Sequence, residues 1–150
     1  MKILLSPAKL MRNLPSENTT EPSFQVQARR LANVLAKWSV QHYVQRMGLS
    51  KEKAKETQAF MKNWLIEQGS AASTPAIFAY IGEAFKALDA LTLDPAAQLY
   101  LNENVYILSG LYGTLNANDG VLPYRLEMAQ KLAITKNQQS LYAFWRPLVE

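Results

Sequence analysis

Residues Val105 to Met128, VYILSGLYGTLNANDGVLPYRLEM, constrain this chain more than any other stretch. The β-branched and aromatic run Val105-Tyr106-Ile107-Leu108 has the composition of a buried strand. It empties into Ser109-Gly110-Leu111-Tyr112-Gly113, where two glycines permit close approaches that a side chain would block. Asp119-Gly120 supplies a further turn, and Pro123-Tyr124-Arg125-Leu126-Glu127-Met128 resumes an extended pattern. A mere connection needs fewer special residues, so this loop is expected to be a site. Backbone amides around Ser109, Gly110 and Gly113 could cradle an anion. Tyr112 and Tyr124 either stack on a base or pack in the core. In an extended segment Arg125 and Glu127 share a side, where they either pair structurally or offer a ligand a cation and a carboxylate. Asp119 is a candidate functional acid, although a turn position also favours Asp for local reasons.

The remainder reads as α/β (α+β): a helix-rich single domain over residues 1–150 with a small mixed sheet. Lys2 to Leu5 forms a first strand, ended by Ser6-Pro7. Lys9 then lies just past its carboxyl end, the usual place for ligand groups in α/β sheets. Ser23 is expected to cap a helix running to about Trp38, with Val26, Leu31, Val34, Leu35 and Trp38 near helical spacing. A second helix covers Val40 to Met47 and stops at Gly48; Ser50 caps a third, from Lys51 to about Gln68. Ile77 to Tyr80 reads as a short strand or as the entry to a helix over Gly82 to Leu91. Asp94-Pro95 opens another helix, and a last one begins near Gln139. Its Leu141, Tyr142, Phe144 and Trp145 read as core.

The helix pair around Gly48 carries a second signal. Arg46-Met47-Gly48-Leu49-Ser50-Lys51 has the pattern of a helix-hairpin-helix, with a glycine at the tight turn and the small Ala54 where the helices cross. Such an element holds phosphates on backbone N–H groups at the second helix's start, where the helix dipole also favours an anion. At 100° per residue Lys51, Lys55 and Lys62 share one sector, with Lys53 elsewhere on the helix. An ordinary helical turn with a solvated lysine face would look similar. His42 on the preceding helix reads as a surface or interhelix residue rather than a base.

Charge supports an anionic partner. Residues 1–62 carry a net +7 and residues 63–150 a net −3. The chain has no cysteine and one histidine, which excludes thiol-based peroxide chemistry and thiolate or His-rich metal sites within it. No metal and no cofactor is expected. No apolar run approaches a membrane span, and MKILLSPAK is too short for a signal peptide. A cytoplasmic location is expected.

Four segments, in order, resemble one family. SGLYG with a downstream Asp and then PYRLEM is similar to the bacterial, cytoplasmic YaaA peroxide-stress family. MKILLSPAK resembles its opening strand and SPAK loop, Pro75 to Glu83 its PAI-x-AF-x-GD segment, and Leu141 to Trp145 its LYxFW helix. The resemblance implies double-stranded DNA binding without sequence preference, through the helix-hairpin-helix and a basic cleft. On that implication Arg46, Gly48, Ser50, Lys51, Lys53, Lys55 and Lys62 hold phosphates. Ser6, Pro7, Ser109, Gly110, Tyr112, Gly113 and Tyr124 form a ligand loop.

Departures from the family pattern are specific. RPLD stands here as Asn116-Ala117-Asn118-Asp119, GD as Gly82-Glu83, and the Thr after SPAK as Leu10. LAxxN reads Lys53-Ala54-Lys55-Glu56-Thr57, and the Gly after FW is Arg146. Members of the family run on well beyond this length, so the chain reads as an N-terminal portion or a short relative. An exposed apolar sheet face would then favour a homo-oligomer. Besides DNA protection under peroxide stress, two alternatives stand. One is an enzyme on a nucleic-acid or phosphate-bearing substrate. Lys9 would be its nucleophile or clamp and Asp119 or Glu127 its acid/base, with Ser109 and Arg125 completing the cleft. The other is a degenerate relative acting by protein association. Convergence of Lys9, Asp119 and Arg125 would favour the enzyme.

Overall fold

A computed structural model describes residues 1–69 and 72–149. A mixed sheet lies at its centre: β5 (Val105–Ser109) pairs in parallel with β1 (Ile3–Leu5) on one side and antiparallel with β6 (Gly113–Asn116) on the other. β5 alternates buried and half-buried residues, with Val105, Ile107 and Ser109 facing the core. Two short ladders flank this sheet. β2 (Leu10–Met11) pairs with β4 (Tyr80–Ile81), and β3 (Thr74–Pro75) pairs with β7 (Gly120–Val121). The α/β class expected from the sequence is what the chain adopts.

Helices supply the other layer. α1 (Gln25–Ala36) and α2 (Val40–Met47) both pack on α3 (Lys51–Glu67). Leu31, Leu35, Tyr43, Ala54, Met61 and Trp64 are all fully buried. Each large apolar side chain so buried stabilises the fold by roughly 1.5–3 kcal/mol. The Tyr43 hydroxyl donates to the Leu35 carbonyl, so its burial leaves no phenol unpaired. Val26, by contrast, is 71% exposed, outside the core expected for it.

Local punctuation explains most helix ends. Ser39 and Ser50 accept from the backbone amides of His42 and Lys53, capping α2 and α3. Gly48 ends α2 in the left-handed region, φ 65°. Ser23 does not cap α1; Phe24 takes that position with no side-chain cap, and its ring sits edge-on to Trp145, centroids 5.7 Å apart. α1 also stops short of Trp38. The Lys37 and Trp38 amides make tightened bonds to the carbonyls of Val34 and Leu35, and Ser39 is already extended.

The middle of the chain breaks into short pieces. Ile77 to Tyr80 is neither simply strand nor helix entry. α4 (Ala76–Ala79) is a single turn, and β4 follows before α5 (Glu83–Leu88). Asp89 at φ 45° ends α5, and a 3₁₀ turn over Ala90–Thr92 replaces the expected continuation to Leu91. α6 (Pro95–Asn104) is capped by the Asp94 carboxylate on the Ala97 amide. α7 (Leu141–Val149) starts two residues later than expected. It buries Leu141, Phe144 and Trp145 but leaves Tyr142 61% exposed, so Tyr142 is not core. Among the described residues no helix is long and apolar enough to cross a membrane.

Candidate functional site

One cleft of about 1000 Å³ gathers four segments that lie far apart in the sequence. Pro7 to Leu10 enter after the end of β1, Met47 to Ser50 from the α2–α3 turn with Lys53 from α3, Ile81 and Gly82 from the end of β4 and the residue after it, and Tyr124 to Met128 from the extended segment. The SPAK loop reaches this position because Gly82 has no side chain: a Cβ there would lie 2.9 Å from the Ala8 Cβ. The two sites read separately from the sequence, the helical turn and the SPAK/PYRLEM loops, are therefore walls of a single cavity.

Arg125 ties the extended segment to α3. Its Nη1 donates to the Thr57 hydroxyl at 2.6 Å and to the Lys53 carbonyl at 3.1 Å, and its Nη2 lies 3.4 Å from Glu56 Oε2. Thr57, which stands where the resembled family has Asn, is fully buried and its hydroxyl donates a hydrogen bond to the Lys53 carbonyl. Arg125 and Glu127 do not pair with each other. Glu127 instead meets Lys9, Nζ to Oε1 3.1 Å, with both side chains largely exposed. Such a surface pair contributes at most about 1 kcal/mol, so an incoming anion can take Lys9 from it at little cost.

At the start of α3 the Ser50 cap and Lys53 line this cleft, whereas Lys51, Lys55, Lys62 and Arg46 lie outside its lining. Ser50 satisfies the Lys53 amide, while the Lys51 and Glu52 amides lie outside the helix ladder. Lys51, Lys53, Lys55 and Lys62 are all exposed, as is Arg46 at the end of α2. The Arg46 carbonyl accepts from Gln130 Nε2 at 2.8 Å, fixing the α2 terminus to the segment beyond Met128. His42 stacks on Trp38, centroids 4.4 Å apart, as an interhelix residue would.

The SGLYG segment lies beneath this cleft rather than in it. Ser109 Oγ takes the amides of Leu111 and Tyr112, at 3.2 and 3.0 Å, and exchanges a 2.6 Å hydrogen bond with the Tyr124 hydroxyl. The Leu111 and Tyr112 amides are thus taken by the protein's own hydroxyl. Tyr124 bonds onward to Tyr80 at 2.6 Å; Tyr112 accepts from Trp64 Nε1 at 2.7 Å and from the Leu122 amide at 3.0 Å. Burial raises the pKa of all three phenols. Tyr112 and Tyr124 pack instead of stacking on a base, although the edge of Tyr124 reaches the cleft wall. Gly110 and Gly113 admit protein atoms: a Cβ would meet the Leu126 carbonyl at 2.5 Å in one case and the Trp145 ring at 2.7 Å in the other.

Asp119 is absent from the cleft lining. It is 1% exposed and accepts from the Thr20 hydroxyl at 2.7 Å and the Asn116 amide at 2.8 Å, holding a turn together. Burial pushes its carboxyl above the ordinary range, against the opposing pull of those two hydrogen bonds. The folded chain then keeps this proton to higher pH than the unfolded chain. The stability contributed by Asp119 is accordingly full below about pH 4 and is lost as pH rises through its raised folded value. In urea unfolding at a series of pH values, wild type should lose ground relative to Asp119→Asn over that window. A constant difference between the two would contradict the assignment.

The sequence pattern missed the apolar part of the lining. Met47, Leu49, Ile81 and Met128 flank the charged groups. It also missed Glu56 and Thr57 as the partners of Arg125.

The chain is similar to known proteins along its whole length. A family model described as peroxide stress protein YaaA matches residues 1–150. A UPF0246 protein of Lactobacillus delbrueckii subsp. bulgaricus is 40% identical over 152 residues, covering 97% of this chain and 58% of the relative. A UPF0246 protein of Salinispora tropica is 37% identical over 147 residues, covering 97% and 55%. One from Flavobacterium psychrophilum is 32% identical over 152 residues, covering 99% and 60%. The chain thus spans a little over half the length of these relatives. Because the match runs through every segment that builds the cleft, the chain belongs to the family described as peroxide stress protein YaaA.

Proposed function

We propose that the cleft binds the phosphate backbone of double-stranded DNA, without reading sequence, and that the chain thereby shields DNA under peroxide stress. The carrying observation is the meeting of the α2–α3 turn with Lys9, Lys53 and Arg125 around one cavity. A helix start already carries partial positive charge, so lysines there are unfavourable unless an anion joins them. α3 nonetheless places Lys51, Lys53 and Lys55 in its first turns, with Glu52 among them and Glu56 just after. A phosphate at the Lys51 and Glu52 amides would offset that excess, in the manner of a helix-hairpin-helix. Lys9, held only by an exposed partner, supplies a second cation across the cleft.

The enzyme alternative keeps Lys9, Arg125 and Glu127 in one cavity but loses Asp119 to the far turn and Ser109 to the core. Its acid/base would fall to Glu127 alone, which is engaged with Lys9. Arg125, bonded to α3, is better suited to holding the cleft's shape than to chemistry.

Fluorescence anisotropy of a labelled duplex at several salt concentrations tests the proposal. Log affinity should fall linearly with log salt, with a slope of about −0.9 per phosphate engaged. Lys9→Glu/Lys53→Glu, both on the cleft lining, should weaken binding at least about tenfold and flatten the slope by roughly two units. Absence of binding at low salt, or an unchanged affinity in the double variant, would refute the placement in the cleft.

A further inference from the structure

We infer that the cleft holds a single nucleotide with its base unstacked, the phosphate on Lys9 and Lys53 and the base against an apolar wall of Leu10, Met47, Leu49, Ile81 and Met128. The phosphate half of this site is that of the proposed function, on which the assignment rests. A groove that only tracked a duplex backbone would need cations and hydrogen-bond donors and no apolar surface. This cleft carries both.

The wall is apolar surface left open. Leu10 is 64% exposed, and Met47, Leu49, Ile81 and Met128 are only half-buried. Leu10 and Ile81 lie directly opposite each other in the β2–β4 ladder, so their side chains share one face. Met47 and Leu49 bracket Gly48 at the turn between α2 and α3, and Met128 follows Glu127 in the extended segment. The wall is also fixed before anything binds. Just past β2 the Arg12 amide donates to the Ala79 carbonyl at 2.7 Å, while Gln130 ties the extended segment to the end of α2 and Arg125 ties it to α3. Thioethers on such a surface adapt to flat ligands of differing outline. The volume, about 1000 Å³, stands at the upper end of the roughly 300–1,000 Å³ usual for small-molecule sites.

Charge and apolar surface in one concavity identify the occupant. A covering protein segment would bury Lys53, which no ion pair holds among the described residues, together with Lys9, which meets only Glu127. Cations buried without partners are costly. A nucleotide answers both demands: its phosphate meets the lysines while its base covers the aliphatic side chains, and every base has such a face. Tyr124 does not supply the platform, being 6% exposed with its hydroxyl bonded to Tyr80 and Ser109. A base stacked within a duplex cannot reach the wall, so the nucleotide is an unpaired one, within a strand or free.

Anisotropy at one salt concentration should compare a matched duplex, the same duplex with an unpaired deoxyadenosine, and the same bulge carrying an abasic nucleotide. The deoxyadenosine bulge should bind about tenfold more tightly than either of the others. Leu10→Asn, at an exposed position, should bring that ratio towards one, whereas Lys9→Glu/Lys53→Glu should weaken all three complexes. Calorimetry with adenosine 5′-monophosphate and with ribose 5-phosphate is the second arm. Tighter binding of the former by a similar factor, without a bulge preference, would make a free nucleotide the occupant. Equal affinity for the two bulges, with no difference between the two small phosphates, overturns the base wall. Matched duplex that still binds in that case leaves the phosphate reading standing alone; failure of every DNA and both small phosphates removes the two together.

Discussion

Gly110→Ala should cost about 3 kcal/mol or more of folding stability, at the upper end of what overpacking does. The added methyl would lie 2.5 Å from the Leu126 carbonyl oxygen, 3.0 Å from the Glu127 carbonyl carbon and 3.1 Å from the Met128 nitrogen. All three are backbone atoms, so no side chain can swing aside. Relief requires moving the segment that carries Arg125 and Glu127, and with it one wall of the cleft. The urea midpoint should therefore fall sharply, and duplex affinity should fall with it in whatever protein remains folded. If Gly110→Ala melts like wild type, the close packing of SGLYG against PYRLEM is not present in solution.

Trp145→Ala should lose about 3–5 kcal/mol, the range for deleting a buried aromatic side chain. The indole is 1% exposed and fills the space above Gly113. Its Nε1 donates to the Gly110 carbonyl at 2.8 Å, and its ring contacts Phe144 and Phe24 edge-on at 4.9 and 5.7 Å. Trp145→Phe keeps much of the packing and gives up the hydrogen bond, so it should fall between. Both substitutions read out on chemical denaturation. Stability retained with binding abolished would return SGLYG to the role of ligand loop. Stability lost is the outcome expected of a core element that supports the cleft from below.

The sequence made α2, α3 and α6 legible because their ends carry punctuation: Gly48, Ser50 and Asp94-Pro95 each do a local chemical task. β5 was legible from its apolar run. Ser23 misled because an aromatic contact between Phe24 and Trp145 sets the entry to α1. Tyr142 misled because proximity to Phe144 and Trp145 in sequence says nothing of which helical face turns inward.

The site was legible in parts but not as a whole. The alternation from Tyr124 to Glu127 holds, with Tyr124 and Leu126 buried and Arg125 and Glu127 outward, although no ladder forms there. What spacing could not convey is that Lys9 meets Glu127 and Arg125 meets Thr57, pairs that are distant along the chain. Nor could it separate Asp119 from them, since a turn carboxylate and a catalytic one look alike until burial and partners are known. The glycines of SGLYG are close approaches, as the sequence predicts. The approaching atoms belong to the protein's own backbone and to Trp145.

The most direct test of the central claim is an amide footprint. The ¹⁵N-labelled chain, titrated with a short duplex at low salt, should show its largest shifts at Gly48 to Ala54, with further shifts at Lys9 and at Arg125 to Glu127. The turn around Thr20, Asn116 and Asp119 should stay unmoved. Shifts that cluster around that turn and spare the start of α3, or a spectrum unchanged by DNA, would contradict a phosphate-binding cleft at the α2–α3 turn.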